Sequence, residues 1–252
     1  MLRKFFTSIA TQLPSQCAVC RSWSDQRVCI ACTGLLARPA VRCLGCAKLL
    51  HPGQAGNKGE KCGACLSAPL GLGSCLAAVD YSYPWDEMVA LLKFARGDPA
   101  IARQVADVMA QQTQIVQALS RADLVIPIPL SSQRLQERGF NQSLEIARAL
   151  AACPAWQAHG GRPALQIEPL WLLRLRDTTP QMGLSSAQRR ANVRGVFAVE
   201  PKHAGQIRGK HIALLDDVST TGATLAAAAQ ALALAGAAEI NAVVFAKTVS
   251  EA

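Results

Sequence analysis

His211-Ile212-Ala213-Leu214-Leu215-Asp216-Asp217-Val218-Ser219-Thr220-Thr221-Gly222-Ala223-Thr224-Leu225 is the stretch whose reading decides the fold. Its opening apolar run, short and bounded, reads as a buried strand of a parallel sheet. The run stops at two consecutive carboxylates, Asp216 and Asp217. A loop of small hydroxyl residues follows, then an alanine-rich helix that ends near Gly236. Such a loop sets backbone N–H groups at the positive end of a helix, which suits a phosphate. Thr220, Thr221 and Thr224 can donate hydroxyl hydrogen bonds to the same anion, and Gly222 lets the backbone approach it closely. Asp216 and Asp217 would repel a phosphate; they suit the vicinal hydroxyls of a sugar, or Mg²⁺. Neighbours on a strand point to opposite faces, so both acids reach one ligand only where the strand has begun to turn. Phosphate and diol together spell a ribose 5-phosphate.

Outward from this stretch, strands alternate with helices over residues 75–252, which predicts an α/β parallel sheet with its sites at the strand C-termini. Cys75–Tyr81 reads as a strand ended by Pro84. Met88, Leu91, Leu92 and Ala95 keep helical spacing from Asp86 until Gly97. Pro99, capped by Asp98, starts a longer helix through about Leu119. Asp123–Leu130 is a strand whose prolines predict a loop next, carrying Arg134, Arg138, Gly139, Phe140, Asn141 and Gln142 toward a helix. Arginines and a glycine at a strand end suit a diphosphate, because guanidinium groups bind phosphate oxygens in a fork. Residues 153–164 read as an irregular insertion and Leu165–Leu175 as a strand. Arg176–Leu184 reads as an exposed, mobile stretch, with Ser185 and Gln188 as a capping box beyond it. Gly195–Val199 and Glu239–Lys247 complete the strands. Competing nucleotide motifs are missing: no G-x-G-x-x-G follows a strand, and Gly205–His211 is one residue short of a P-loop and ends in His, so it reads as a turn.

The N-terminal part is different. Eight of its cysteines form Cys-x-x-Cys pairs: Cys17/Cys20, Cys29/Cys32, Cys43/Cys46 and Cys62/Cys65. That is thiolate-ligand spacing, and four thiolates complete one tetrahedral zinc, so residues 17–68 read as a module holding two structural Zn²⁺. Consecutive pairs sharing a metal, or interleaved pairs, are both open. Cys75 and Cys153 read as buried small apolar residues, and His51 is a stray ligand candidate. Pro69–Ser74 is a linker. Leu2, Phe5, Phe6, Ile9 and Leu13 fall on one face of a docking helix over residues 1–16. Thr7, Ser8, Thr11 and Gln12 break the apolar part too early for a signal peptide, and no apolar run is long enough to span a bilayer, so the reading is cytoplasmic. The chain carries a formal +9, of which residues 1–75 contribute +7. Eight thiolates and two Zn²⁺ would lower that share to +3, too little to argue for nucleic acid by charge alone. Arg38 and Arg42 are the module's candidates for such a contact. Trp23 is the one aromatic of the cysteine array, fewer than a base-stacking platform uses.

The strand-Asp-Asp-x-x-Thr-Thr-Gly-x-Thr string resembles the phosphoribosyl diphosphate (PRPP) motif of type I phosphoribosyltransferases. Over nearly its full length the chain resembles the ComF family of competence-associated, phosphoribosyltransferase-like proteins. Four pieces carry that resemblance: the Cys-x-x-Cys array, Lys93–Asp98, Ile126–Leu130 running on to Arg138–Gln142, and Thr179-Pro180-Gln181 with Arg189 and Asn192 leading to the acid pair. It implies a type I phosphoribosyltransferase fold with a small N-terminal double zinc-ribbon-like module. It would place a diphosphate loop at about 127–139 and a hood loop at about 176–184. Asp216 and Asp217 would be the catalytic pair on the ribose hydroxyls. Ser219, Thr220, Thr221, Gly222, Ala223 and Thr224 would hold the 5-phosphate, with Lys93 and Arg138 on the diphosphate of Mg²⁺-bound PRPP. The family is associated with DNA uptake in natural transformation. A PRPP-binding accessory that handles incoming single-stranded DNA, alongside other DNA-uptake proteins, is one implied role. A true transferase (a glycosyltransferase moving phosphoribosyl to an unidentified acceptor) is the other. No residue pattern in the chain specifies the acceptor.

Overall fold

A computed structural model describes residues 15–50, 61–94, 99–162, 164–176 and 195–249. In chain order come β1 (Ser15–Gln16), β2 (Trp23–Ser24), α1 (Ile30–Leu36) and α2 (Gly63–Ser67). Then follow β3 (Cys75–Asp80), α3 (Trp85–Phe94), α4 (Pro99–Ala110), α5 (Thr113–Arg121) and β4 (Leu124–Pro127). Next are α6 (Ser132–Arg138), α7 (Gln142–Ala151), α8 (Pro154–Ala158), β5 (Leu172–Arg174) and β6 (Phe197–Val199). The chain ends with α9 (Ala204–Ile207), β7 (His211–Ser219), α10 (Ala223–Leu234) and β8 (Glu239–Lys247).

β3, β8, β7 and β4 form a parallel sheet in that order. Helices cover both faces, which is why its inner strands are apolar without alternation: Ala242, Val243, Val244, Phe245 and Ala246 of β8 are all fully buried. On one face Val243, Phe245 and Leu215 meet Leu92, Val105, Met109, Ile146 and Leu150 of the crossing helices. On the other, Leu214, Ala242 and Val244 meet Leu225, Ala228 and Leu232 of α10. No helix among the described residues is long and apolar enough to cross a membrane.

Several expectations need correction. The helix expected from Pro99 to Leu119 is two helices, because Gln112 breaks it with an extended backbone and donates its side-chain amide to Ala37 O at 2.7 Å. The loop expected after β4 contains a seven-residue helix, α6, which Ser131 caps by accepting from Arg134 N. Within the stretch read as an irregular insertion, Pro154 starts α8. Leu165–Leu175 is not one strand: Ile167 makes a single parallel bridge to Val125, and only Leu172–Arg174 forms β5. β5 pairs with β6 antiparallel, apart from the main sheet. The pattern of short apolar runs gives strand type but not partner, and an antiparallel return needs no crossover helix. Ser15 and Gln16 pair with Ser24 and Trp23 as strand, not helix. Residues 1–14, His51, Asp98, the hood stretch from Asp177 on and the Ser185/Gln188 box lie outside the described residues.

The cysteine-rich part is packed onto the sheet domain, and the expected linker is part of the contact. Leu72 is buried and Leu70 packs against the core beneath α10. Gln104, itself buried, receives a hydrogen bond from Val28 N and donates one to Val28 O. Cys75 N donates to Leu44 O at 2.7 Å, and Arg42 Nη1 lies 2.6 Å from Asp80 Oδ1. These last two contacts fall at the two ends of β3, the edge strand, whose open side would otherwise offer unpaired backbone groups. Arg42 is therefore not free for nucleic acid; Arg38 is exposed. Replacing Arg42 with Ala should cost about 1–3 kcal/mol by unpairing Asp80, read as a lowered urea midpoint with all cysteine-bound metal retained.

Candidate anion and metal sites

β4 and β7 end at a cavity of about 200 Å³ bounded by Lys93, Arg134 and Arg138 of α6, Gln142, Arg174 and residues 216–220 and 222–225. A larger recess of about 540 Å³ lies at the opposite ends of the strands, near His211 and Glu239. Parallel α/β sheets bind ligands beyond the strand C-termini, where loops can vary without disturbing the sheet. The smaller cavity is also the one that gathers the ionisable groups.

β7 runs on through both acids to Ser219. Asp217 is buried, and its Oδ2 lies 2.9 Å from Lys93 Nζ. Asp216 accepts from Ser143 Oγ at 2.9 Å, and the backbone N–H of Asp217 folds back onto the same oxygen at 2.9 Å. Burial, and then the charge of Asp217, push the Asp216 carboxyl up to about 8. Two neighbouring carboxylates here cannot both ionise cheaply, and only one of them has been given a cation.

Beyond Ser219 the chain turns into α10 through Gly222, which adopts φ 79°. A Cβ there would sit 2.6 Å from Leu70 Cδ1. The left-handed turn favours glycine here, and Leu70 would have to move its terminal methyl to admit a Cβ, reasons independent of any ligand's approach. Thr220, Gly222, Ala223 and Thr224, at the N-terminal end of α10, line the cavity, and a helix start beside hydroxyl residues is suited to an anion.

The facing wall is built by the Arg-Gly-Phe-Asn-Gln run. Gly139 closes α6 at φ 78°, and Asn141 opens α7 by accepting from Ser143 N at 2.9 Å and Leu144 N at 3.4 Å. Asn141 Nδ2 also donates to Ile128 O at 3.0 Å, fastening α7 to the end of β4. Arg134 and Arg138, both on α6, line the cavity with Lys93 and Arg174. Gln142 Oε1 and Ser219 Oγ are buried at the cavity without a hydrogen-bond partner. Buried orphans of this kind cost about 1–3 kcal/mol each and are satisfied when a ligand brings the missing partner. Cations, helix N–H groups, acids and orphaned polar atoms together fit a sugar carrying several phosphates. The expected residues Lys93, Arg138, Asp216, Asp217, Ser219, Thr220, Gly222, Ala223 and Thr224 border this one cavity; Thr221 does not, and its Oγ1 accepts from Ala223 N at 3.4 Å. Gln142 belongs to the loop expected to suit a diphosphate but carries no assigned role there, and Ser143, Arg174 and Lys247 are not among the expected residues. Lys247 did leave a signal, a lysine ending the buried run Ala242–Ala246.

The cysteines form two separate clusters, Cys17/Cys20/Cys29/Cys32 and Cys43/Cys46/Cys62/Cys65, each with its sulfurs within 4.8 Å of one another. Consecutive pairs share a cluster, so the interleaved arrangement is excluded. Each cluster holds sulfur prepared as thiolate, Cys17 and Cys20 in the first and Cys43 in the second. Burial raises Cys17, but backbone N–H donors led by Cys29 outweigh it and bring the thiol to about 6. Cys43 is brought to about 7 in the same way, with Cys62 N at 3.0 Å and Gly45 N at 3.3 Å. Burial and the neighbouring sulfurs push Cys32 up to about 12 and Cys46 up to about 11. Four sulfurs so close ionise together only around a cation, and the all-thiolate set fits a structural zinc.

A family model described as "Phosphoribosyl transferase domain" matches residues 175–251. The chain is 30% identical over 238 residues to "DNA utilization protein YhgH" of Salmonella typhi, covering 91% of this chain and 95% of that one. The protein of the same name from Escherichia coli K12 is 26% identical over 238 residues, with the same coverage. "Competence protein F" of Haemophilus influenzae is 27% identical over 228 residues, 84% of this chain and 93% of its own.

Metal analysis of protein purified under reducing conditions should find one zinc for each of the two clusters, and chelation should lower the melting temperature. Less than one zinc per chain would refute the assignment. The Asp216 carboxyl gives a second test. Its folded value of about 8 lies above that of the unfolded chain, so the folded protein holds a proton the unfolded chain has released. That contribution to stability is full at low pH and is lost as pH rises toward 8. Thermal melts should fall over that range for the wild type and less steeply for Asp216→Asn.

Proposed function

We propose a function from the premise that this chain belongs to the ComF-like family of the type I phosphoribosyltransferase superfamily. The cavity at the ends of β4 and β7 binds PRPP with Mg²⁺, and the protein serves DNA utilization in the cytoplasm by handling incoming single-stranded DNA. The observation that carries the first half is the meeting of a helix N-terminus, a hydroxyl loop, an acid pair and a cationic wall around one cavity. In this reading residues 219–224 hold the 5-phosphate and the two acids accept from the ribose hydroxyls. Arg134 and Arg138 face the diphosphate. Lys93, already held by Asp217, would have to exchange partners to reach it. Bound Mg²⁺ would offset diphosphate charge and ease its departure. The chain's own groups orient the sugar and keep the leaving group's charge compensated.

The second half draws on what the relatives' names say of them, DNA utilization and competence. Residues 17–68, as a zinc module, would supply the DNA contact through exposed groups such as Arg38 and Trp23, the latter 73% exposed. The sheet domain, residues 75–252, would supply the PRPP site.

Calorimetry with Mg²⁺ and PRPP tests the cavity. Asp217→Ala should weaken binding by about 1–3 kcal/mol; equal affinity in wild type and the Asp216→Ala/Asp217→Ala double variant overturns the assignment. Labelled single-stranded DNA should bind with a salt slope of only a few charges. Arg38→Glu should weaken that binding and leave PRPP affinity intact, and transformation with linear DNA should fall in Arg38→Glu and in Asp217→Ala. Normal transformation in both variants, with labelled ribose passing from PRPP to a metabolite in cell extract, would replace the DNA role with phosphoribosyl transfer to that acceptor.

A further inference from the structure

Lys247 closes β8 and is 3% exposed. An ammonium that deep must find a partner to offset its lost hydration. Its partner is the carbonyl of Thr220, inside the hydroxyl loop. The backbone is fastened at the same point: Ser219 and Lys247 are register partners, and Thr248 N donates to Ser219 O at 3.1 Å. On the loop's other side Leu70 occupies the space a Cβ at Gly222 would need. Two separate elements therefore fix the loop, and both lead to the second cysteine cluster. Leu70 stands five residues after Cys65, on the segment leaving α2. Ala47, beside Cys46, is fully buried in one core with Leu72, Cys75, Ala242 and Val244, and Leu70 packs against the same core. Burial lowers the pKa of Lys247, and the sulfurs of Cys46, Cys75, Cys65 and Cys62 oppose this, three of them members of that cluster. A zinc held by four thiolates carries a net charge of about −2, so an ammonium nearby is its natural counter-charge.

We propose that Lys247 is a positioning residue for the hydroxyl loop and that Lys247 and Leu70 tie this loop to the Cys43/Cys46/Cys62/Cys65 cluster, so that metal occupancy of the cluster sets the loop's affinity for a phosphate group. The inference rests on the reading of residues 219–224 as the phosphate half of the PRPP site. A carbonyl engaged by an ammonium cannot turn its negative end toward an anion in the cavity. The engaged Thr220 carbonyl leaves the following N–H groups and hydroxyls to face the ligand. Loss of metal would remove the charge that Lys247 balances and the anchor from which Leu70 extends. A contact linking the two parts of the chain would then also be the link between metal status and ligand binding.

The test uses the full-length protein, with ribose 5-phosphate and magnesium diphosphate as separate calorimetric probes of the two halves of the site. Lys247→Met, similar in length and apolar, should weaken ribose 5-phosphate by roughly tenfold or more and leave magnesium diphosphate within about twofold. Lys247→Arg should recover part of the loss. Cys65→Ser, losing the second metal, should show the same selective defect, and Leu70→Ala a milder one with both metals retained. Unchanged ribose 5-phosphate affinity in Lys247→Met, or equal loss of both probes, overturns the proposal while leaving the PRPP reading in place. Wild-type protein that binds neither probe overturns both.

Discussion

Asp216 and Asp217 stand side by side at the end of a strand buried on both faces, and the surroundings of the cavity answer to that crowding. Two like charges about 4 Å apart cost on the order of 4 kcal/mol at an effective dielectric of about 20. The fold resolves this by treating the acids differently. Lys93 is brought from α3 to Asp217, while Asp216 is given a neutral donor, Ser143, and keeps its proton to about pH 8. Ser143 reaches Asp216 because Asn141 caps α7 and at the same time binds Ile128 O at the end of β4. The helix that supplies the donor is thus positioned by the neighbouring strand of the same sheet.

A second constraint is the open edge of β3. Sheets in which every strand is apolar are prone to pairing at the edge, and closing that edge with another layer removes the hazard. Here the cysteine-rich part lies against it, held at Cys75 by a backbone hydrogen bond and at Asp80 by Arg42. The buried amides of Gln104 and Gln112 bond to Val28 and Ala37, respectively. Amides suit this joint because they satisfy backbone groups without burying a charge. The metal clusters and the sheet edge thus share one set of buried contacts.

Local patterns were legible wherever chemistry and period agreed. The acid-pair strand, the hydroxyl loop and the alanine-rich helix could be read directly, and paired cysteine spacings announced the two clusters. What could not be read was set by partners distant in sequence. No glycine or proline marks the break between α4 and α5; Gln112 makes it by reaching Ala37, 75 residues away. Arg42 looked like a surface cation because its acid, Asp80, is 38 residues on. Gly222 invited a ligand-based explanation, whereas its positive φ, with Leu70 packed beside it, already favours glycine. Gln142 and Ser219 matter through what they lack, and an unpartnered buried atom leaves no trace in a sequence.

Selectivity at the cavity follows from the order in which its charges act. Lys93, Arg134, Arg138 and Arg174 line it against two acids, one of which keeps its proton, and the start of α10 adds about half a positive charge. An uncharged sugar gains little from such a field, whereas a molecule with several phosphates is drawn to it from either end. For the ligand proposed above, the acids would then act as a filter among polyanions. A ligand that offers hydroxyl donors at their position satisfies them, and one that presents another phosphate meets Asp217 as a like charge. On the proposed reading, affinity and identity would be carried by different residues, phosphate contacts positioning the ligand while the acids test what lies between the phosphates, the same division of labour found where proteins read nucleic acids.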